Sequence, residues 1–502
     1  MGTRVSGERP APRPGPPRAG GSSRRSGRNE SGVNGVRGNV SRRSAPGFLA
    51  ALVAGTLLLA AAWPVAGQTE GRFLSVPEAY PTIEAAIAES RPGDVILVGA
   101  GGYPGGIVVP EDKPGITIRG VERNAVVFYG ENRIENAIEV LADDVTLENM
   151  SAHDFVQNGF YWEGVDGFAG RYLTVWNVGL YGIYAIESRD GLIEQSYVSG
   201  AADAAFYVGE CNPCDTVLRD NTAILSAVGF SGTNASGNLV VEYSIFDRNG
   251  VGILPNAFDV GIPDSPPPQR DAIFRGNVVT GSGTVPVPRQ TPLGGYHGIG
   301  IGLIGTVNDL VELNEVTGST RYGIVVVSAV DFETTWVPSG NRITNNVASG
   351  SGTADLALAG GSGAGNCFED NEAATLDPAD LTAACSVEGG GSAAVAAELV
   401  KPPPELQDGL PPAPPYTEMP EPPQQESMLN PPPPDASNML TIGIVTIVGF
   451  VGGILCVYKA RPQNILDPKD VGNLALRNAG AGLIVLGVVG LLLMGLLLLS
   501  GS

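Results

Sequence analysis

Three tyrosines recur at a fixed interval in the middle of the chain, and glutamates accompany them. Tyr161, Tyr184 and Tyr207 follow one another at steps of 23 residues, and Glu139 and Glu163 lie in the same region. Aromatic rings offer apolar faces to the C–H surfaces of pyranoses, while hydroxyl and carboxyl groups bind sugar hydroxyls. The spacing therefore favours a sugar-binding strip. The alternative is that a long loop covers these tyrosines and that they only pack.

Three long insertions contain a second group of polar residues. They span 255–271, 284–298 and 328–340. Loops of this length are often functional, and within them Asp259, Arg270 and His297 are further candidates for binding. Because the insertions fall in neighbouring repeats, we expect them to cluster and to wall one side of a groove.

The chain is poor in groups that catalysis and metal binding require. It has two histidines, His153 beside Asp154 and His297 beside Gly298. A lyase needs a base and carboxylates for Ca²⁺, a hydrolase needs a carboxylate pair, and a copper site needs clustered His or Met. We therefore expect no cofactor, except Ca²⁺ if an acidic groove forms. A polysaccharide lyase or C5-epimerase is the alternative to simple binding.

A repeated phrase organises residues 136–371. It reads glycine, apolar, any residue, apolar, and it closes with an apolar residue followed three positions later by Asn, Ser or Thr. The polar members are Asn149, Thr174, Ser196, Asn221, Ser244, Asn277, Asn314, Asn346 and Asn371. Most spacings are 22 to 25 residues, which is too short for two packed helices and indicates one coil of a β-solenoid per repeat.

The repeat also predicts which side chains stack and which face outward. Equivalent residues of successive coils lie about 4.8 Å apart, so a buried polar column can satisfy its own hydrogen bonds. The predicted inward row is Ile138, Phe160, Ile183, Phe206, Phe230, Ile253, Ile299 and Ile324. The predicted outward row is Glu139, Tyr161, Tyr184, Tyr207, Ser231, Leu254, Gly300 and Val325.

The segment that opens the repeats has a signature of its own. It reads Tyr-Pro-Thr-Ile-Glu-Ala-Ala-Ile at 80–87, Pro-Gly-Asp-Val-Ile-Leu-Val at 92–98, Gly-Tyr at 102–103 and Pro-Gly-Ile-Thr-Ile-Arg-Gly at 114–120. Together with the repeats, this resembles the right-handed parallel β-helix superfamily with the pectate-lyase-like fold. Within it, the chain resembles the extracytoplasmic repeat proteins related to NosD. The resemblance covers about residues 73–390.

The resemblance implies a fold more strongly than a chemistry. It implies an all-β, right-handed parallel β-helix, or solenoid, with an N-terminal capping helix whose Ile83, Ala86 and Ile87 cover the first coil. Proteins of this fold include lyases, hydrolases, epimerases, esterases and many without known activity. The chain lacks the Asp-Pro-His-Asp motif of mannuronan epimerases and the site strings of pectin esterases. A non-catalytic polysaccharide-binding or envelope structural module is therefore the favoured function.

The segments outside the repeats predict an exported protein with a membrane anchor. An apolar stretch at 48–62 follows a basic leader, as in export signals. Two apolar C-terminal runs are long enough to span a bilayer, and the basic loop between them is expected inside the cell. The predicted order is 1–67 leader and signal, 68–395 β-helix, 396–437 acidic proline-rich linker, 438–458 transmembrane helix, 459–479 cytoplasmic loop and 480–500 transmembrane helix.

Charge limits the partners that fit. The formal charge is −22, and loss of the 10 Arg and 2 Glu in residues 1–67 would make it −30. Such an acidic surface excludes nucleic acid and anionic lipid as partners. We expect a polysaccharide or cell-envelope glycan as the partner, and a cell-membrane location with the β-helix outside the cytoplasm. A role as scaffold or accessory subunit of a membrane system is a further alternative.

The five cysteines agree with an oxidising compartment. The simplest pairing joins Cys211 to Cys214 within one turn and Cys367 to Cys385 around the last coil. A lone Cys-x-x-Cys motif is also compatible with redox activity or half of a zinc site. Cys456 lies in a predicted membrane span.

Overall fold

The chain winds as a right-handed parallel β-helix in the computed structural model, which describes residues 71–290, 293–331, 334–381, 389–400, 410 and 412–428. Each complete coil contributes one strand to each of three faces, named A, B and C in chain order within the coil. Every pairing between coils is parallel and in register, as in Tyr161↔Tyr184↔Tyr207 on face A. The predicted β-solenoid is confirmed.

Face A is an eleven-stranded sheet. Its strands are Ile107–Val109, Asn136–Val140, Asn158–Glu163, Ile183–Ile186, Ala204–Gly209, Val228–Thr233, Val251–Asn256, Ile299–Ile304, Tyr322–Val327, Ala354–Leu358 and Leu376–Asp377. An antiparallel hairpin beside it pairs Ala329–Asp331 with Thr334–Trp336.

Faces B and C form one 21-stranded sheet, because two long strands continue from face B into face C. These two are Val145–Phe155 and Asp166–Val178. The other strands of face B are Phe73–Val76, Val95–Val98, Thr117–Gly120, Arg189–Glu194, Val217–Arg219, Val240–Glu242, Ile273–Arg275, Leu310–Glu312, Arg342–Thr344 and Cys367–Glu369. Those of face C are Gly101–Pro104, Val126–Tyr129, Tyr197–Ala201, Thr222–Ile224, Ile245–Asp247, Val278–Thr280, Glu315–Thr317, Val347–Ser349 and Glu372–Ala373.

The predicted polar column forms at the turn between faces B and C. The backbone N–H of Asn221 donates to Ser244 Oγ at 3.1 Å, and that of Ser244 donates to Asn277 Oδ1 at 3.0 Å. Asn277 in turn donates to Asn314 Oδ1 at 2.9 Å, and Asn314 to Asn346 Oδ1 at 3.0 Å. Each side chain thus satisfies a buried amide of the coil before it. This confirms the predicted register from Ser196 to Asn371. Asn149 and Thr174 were placed one residue away, because Thr174 pairs with Tyr197, and Leu173 and Met150 hold the position of Ser196.

Two short α-helices pack on the described coils, one at the N-terminal end and one on the outer side of face A. Helix α1, Ile83–Glu89, begins at Thr82, whose hydroxyl accepts a bond from Ala85 N, and it buries Ile83, Ala86 and Ile87. This confirms the predicted N-terminal capping helix. Helix α2, Ala393–Leu399, buries Val395 and Leu399 near the last coils. Gly294–Tyr296 and Tyr416–Glu418 are short 3₁₀ helices.

The predicted fold class needs one correction, because it combined the β-helix with two C-terminal transmembrane helices. Among the residues that the structure describes, no helix is both long enough and apolar enough to cross a membrane. The two α-helices there have seven residues each. The fold class is therefore an all-β solenoid with two short helices. The segments 438–458 and 480–500 lie outside the described residues, as does the leader.

The predicted inward and outward rows of face A are also wrong in one coil. Ile253 pairs with Ile301 rather than with Ile299, so the outward position beside Leu254 belongs to Gly302 and not to Gly300. The error is two residues, which keeps the same face. It arose because the long insertion before this strand hides where the strand pairing begins.

The cysteine predictions are confirmed where the structure describes them. Cys211 and Cys214 form a disulfide within one turn. Cys367 is also disulfide-bonded, while its predicted partner Cys385 lies outside the described residues. The Cys211–Cys214 bond lies among buried groups, since both residues are less than a tenth exposed.

Candidate functional site

The three predicted tyrosines stack along face A. Tyr161, Tyr184 and Tyr207 occupy one position in three successive strands. The ring centroids of Tyr161 and Tyr184 lie 4.8 Å apart with the planes at 11°, so these rings stack face to face. Tyr184 and Tyr207 meet edge to face at 5.1 Å. The parallel strand spacing imposes this geometry, because it places equivalent side chains one above another.

A fourth tyrosine, which the sequence reasoning missed, completes the cluster. Tyr181 lies in the turn before the strand of Tyr184, and its ring stacks on Tyr184 at 4.4 Å and leans on Tyr207 at 4.9 Å. Turn residues have no fixed place in the repeat, so the repeat could not predict that Tyr181 contacts the other tyrosines. We call Tyr161, Tyr181, Tyr184 and Tyr207 the tyrosine cluster.

Carboxyl groups surround the tyrosine cluster. The Tyr161 hydroxyl donates to Glu163 Oε2 at 2.5 Å, and the Tyr207 hydroxyl donates to Glu210 Oε1 at 3.4 Å. Burial raises the pKa of Asp203 to about 6, although a bond from Tyr181 favours its charged form. Burial likewise raises the pKa of Glu210. Asp203 can therefore hold a proton in mildly acidic conditions.

The tyrosine hydroxyls of the cluster remain protonated at ordinary pH. Burial is the main cause that raises the pKa of all four, and the negative charge of nearby carboxylates adds to it. Glu210, Glu163 and Asp203 are among the groups that act in this way on Tyr184. The phenols thus serve as hydrogen-bond donors, and the carboxylates serve as acceptors.

Face A is open at one end and covered at the other. Beyond Tyr207, the outward residues Leu254 and Val325 are buried beneath a cover that includes Leu293 and, from α2, Leu399. Before it, the outward positions remain accessible: Val108 is 43% exposed, and Glu139, Tyr161 and Tyr184 are partly exposed. The tyrosine cluster therefore lies where the open strip meets the covered half. Tyr207 is therefore packed, whereas Tyr161 and Tyr184 reach solvent.

Among the remaining predicted site residues, Glu139 lies beside this cluster, since it is the strand partner of Tyr161. Asp259, Arg270 and His297 lie elsewhere. Asp259 is exposed in the turn after Val251–Asn256 and accepts a bond from Gly261 N. Arg270 donates to Pro268 O in the same connection.

His297 is buried in the connection from face C to face A, and burial lowers its pKa to about 4. The three long insertions share one hydrophobic cluster on face A, to which they contribute Phe258, Leu293 and Trp336, but they do not wall a single side of it. Those at 255–271 and 328–340 connect face A to face B, whereas 284–298 connects face C to face A. They flank face A from two corners, because insertions at different turns of a coil cannot share one edge.

Metal ligands do not converge in the described part of the chain. No group there of three or more His, Cys, Asp or Glu could hold a metal ion. The Ca²⁺ expectation therefore has no candidate ligand set among these residues.

Comparison with known proteins agrees with the fold. The family model for a right handed beta helix region matches residues 115–254 and 158–284. With the coils described above, the chain is a right-handed parallel β-helix repeat protein. No curated protein matches the sequence.

Solved structures with a similar fold include three carbohydrate-active proteins. The A-module of mannuronan C-5 epimerase AlgE6 from Azotobacter vinelandii is 10% identical with a TM-score of 0.36, over 55% of this chain and 85% of that one. An alginate lyase from Paenibacillus sp. strain FPU-7 gives 14% and 0.36, over 55% and 94%. The catalytic domain of a GH87 alpha-1,3-glucanase gives 12% and 0.38, over 64% and 69%. Likeness at this level carries no argument about activity.

Proposed function

We propose that this protein binds an extended polysaccharide on the open part of face A, without catalysing a reaction. The observation that carries the proposal is the tyrosine cluster at the edge of an accessible strip. Tyr161 and Tyr184 are partly exposed there, and Glu163 accepts a bond from the Tyr161 hydroxyl. Flat aromatic rings combined with a few convergent polar groups are what pyranose recognition requires.

The stacking defines how a sugar would approach the cluster. One face of Tyr161 is taken up by Tyr184, and Tyr161 has no second ring contact among the described residues. Its other face, toward the coil of Glu139, can meet the C–H surface of a pyranose. The exposed edges of Tyr161 and Tyr184 present hydroxyls about one strand spacing apart, close to the length of a sugar unit. A glycan chain would therefore lie along the solenoid axis.

Charge favours a neutral or amino-bearing glycan over a uronate polymer. Glu163, Asp203 and Glu210 act electrostatically on Tyr184, and the whole chain has a formal charge of −22. A polyanionic chain would meet like charge along the strip. Neutral polysaccharides are therefore the first ligands to test.

Tyr184→Ala is expected to weaken polysaccharide binding by at least about tenfold, which corresponds to about 1.4 kcal/mol. The substitution removes the ring that stacks on both Tyr161 and Tyr181. Affinity electrophoresis of the full-length chain in gels containing neutral polysaccharides, together with a glycan array, measures the change. The same incubations are checked for new reducing ends and for unsaturated products.

Tyr243→Asn is the matched control for that experiment. Tyr243 is 57% exposed away from face A, and its φ of 48° suits asparagine. We expect it to bind as the unmodified chain does. Equal retention of the unmodified chain, Tyr184→Ala and an unrelated acidic protein would refute glycan binding at this site. Product formation would favour the lyase, epimerase or hydrolase alternative, with Asp203 as the first acid to replace.

Export of the β-helix is a further part of the proposal. The Cys211–Cys214 disulfide supports it, because such bonds persist in oxidising compartments. In protein taken directly from cells into alkylating reagent, we expect these two cysteines to react only after reduction. Alkylation of both without reductant would contradict export.

A further inference from the structure

The described part of the proline-rich linker lies against the β-helix, and its contacts create a second candidate site. We call residues 412–428 the strap. Asn124 exchanges two bonds with Gln425, at 2.8 and 2.9 Å, and Asn149 Oδ1 accepts from Met428 N at 2.8 Å and from Ser427 Oγ at 3.0 Å. The strap is thus held by paired backbone and amide groups at the turn between faces B and C.

A cavity of about 420 Å³ remains between the strap and face C. Its inner wall includes His153, Asp154, Trp176 and Asn177, and its outer wall includes residues 421–424 of the strap. Ligand pockets for small molecules typically start at about 300 Å³. The cavity is therefore large enough for one or two sugar units.

The inner wall of the cavity is aromatic. His153 and Trp176 are strand partners, and their rings stack at 4.4 Å with the planes at 15°. His153 Nδ1 is 2.8 Å from Asp154 Oδ2, which orients the imidazole. Stacking from one coil to the next therefore builds a flat platform, as it does on face A.

One polar group in the wall lacks a partner. Asn177 is 7% exposed, its Nδ2 donates to Asp154 Oδ1 at 3.3 Å, and its Oδ1 accepts no hydrogen bond from the described residues. A buried acceptor without a donor costs about 1 to 3 kcal/mol. Because this Oδ1 atom is itself inaccessible to solvent, Asn177 acts on the cavity through Asp154, whose carboxylate the Asn177 Nδ2 holds in place.

We propose that this cavity binds a neutral mono- or disaccharide, or the end of a neutral glycan, with the strap as its outer wall. Sugar hydroxyls supply donors that the Asp154 carboxylate accepts, and the C–H face of a pyranose packs on Trp176. Among the described residues, Asp154 and Glu421 line the cavity and no Lys or Arg does, so an anionic ligand is disfavoured. The site is separate from the tyrosine cluster, which lies on face A, and neither proposal depends on the other.

Saturation-transfer NMR and calorimetry with the full-length chain test this site. The probes are glucose, galactose, mannose, N-acetylglucosamine and their β-1,4-linked disaccharides, each titrated into the millimolar range. We expect saturable binding of at least one probe and a loss of at least about tenfold in Trp176→Ala. Tyr243→Asn, at a residue that lines neither the cavity nor the tyrosine cluster, should bind that probe as the unmodified chain does.

Asn177→Gly is the second variant, because it removes the amide while glycine accepts the φ of 55° found at this position. It should weaken the same probe by several-fold with the thermal midpoint nearly unchanged. This keeps the proposal testable if Trp176→Ala fails to fold. Absence of saturable binding by every probe would overturn the proposal. So would equal affinity of the unmodified chain and the folded variants.

Discussion

Asn314→Ala is expected to destabilise the β-helix by about 3 to 5 kcal/mol, the largest effect that we predict. Asn314 Oδ1 accepts both the N–H and the side-chain amide of Asn277, at 2.9 and 3.0 Å. Its Nδ2 donates to Phe274 O at 2.8 Å and to Asn346 Oδ1 at 2.9 Å. Alanine leaves several of these buried groups unpaired, at about 1 to 3 kcal/mol each.

The loss should spread beyond one coil, because stacked repeats are stabilised by their neighbours. Urea unfolding followed by circular dichroism measures it as a lower midpoint. Asn308→Gly is the matched control, since Asn308 is exposed in a turn with φ of 60°, which glycine accepts. We expect the control to change stability by less than about 1 kcal/mol. A change in Asn314→Ala as small as in the control would mean that the polar column contributes little to stability.

Asp309→Asn is expected to stabilise the protein by about 1 to 3 kcal/mol above pH 7 and to have little effect near pH 4. Asp309 is fully buried, and burial raises its pKa to about 7. Its Oδ1 accepts bonds from Ala272 N at 2.9 Å and Gln269 Nε2 at 3.1 Å. In the next coil the position equivalent to Asp309 is Asn341, whose Oδ1 accepts the N–H of Asp309.

The sign of this pH dependence follows from the protons that Asp309 binds in the folded and unfolded states. The folded state holds the Asp309 proton up to about pH 7, whereas an unfolded aspartate releases it near pH 4. Stability therefore falls as pH rises between these values and stays low above them. Asparagine carries no charge, and its amide could meet the unpartnered Oε1 of Gln269. Unfolding midpoints of both proteins from pH 4 to 9 test this, and a constant difference across that range would contradict it.

The repeat made much of the architecture predictable. The column through Asn221, Ser244 and Asn277 was placed correctly, because each Asn or Ser must lie at the same turn to bond the coil before it. The same register placed Tyr161, Tyr184 and Tyr207 in one row. The predicted register was wrong by two residues at Ile301, because an insertion interrupts the repeat before this strand.

Contacts between residues distant in sequence could not be predicted in this way. Tyr181 joins the tyrosine cluster from a turn, and α2 covers the far end of face A although its Ala-rich sequence resembles the start of a linker. The strap meets Asn124 and Asn149 across about 300 residues of chain. Neither composition nor period indicates which surface such a segment will contact.

The amino-acid sequence by itself determined the coil, its register and the tyrosine row, because a solenoid repeats one set of local constraints and equivalent positions must then stack. Only the tertiary structure decided which part of face A stays open, where the long insertions lie, and that the strap encloses a cavity over Trp176. Those features depend on how non-repeating segments pack on the repeating ones. Such packing is set by surface shape and by unpaired polar groups, which become defined only once the coils have formed.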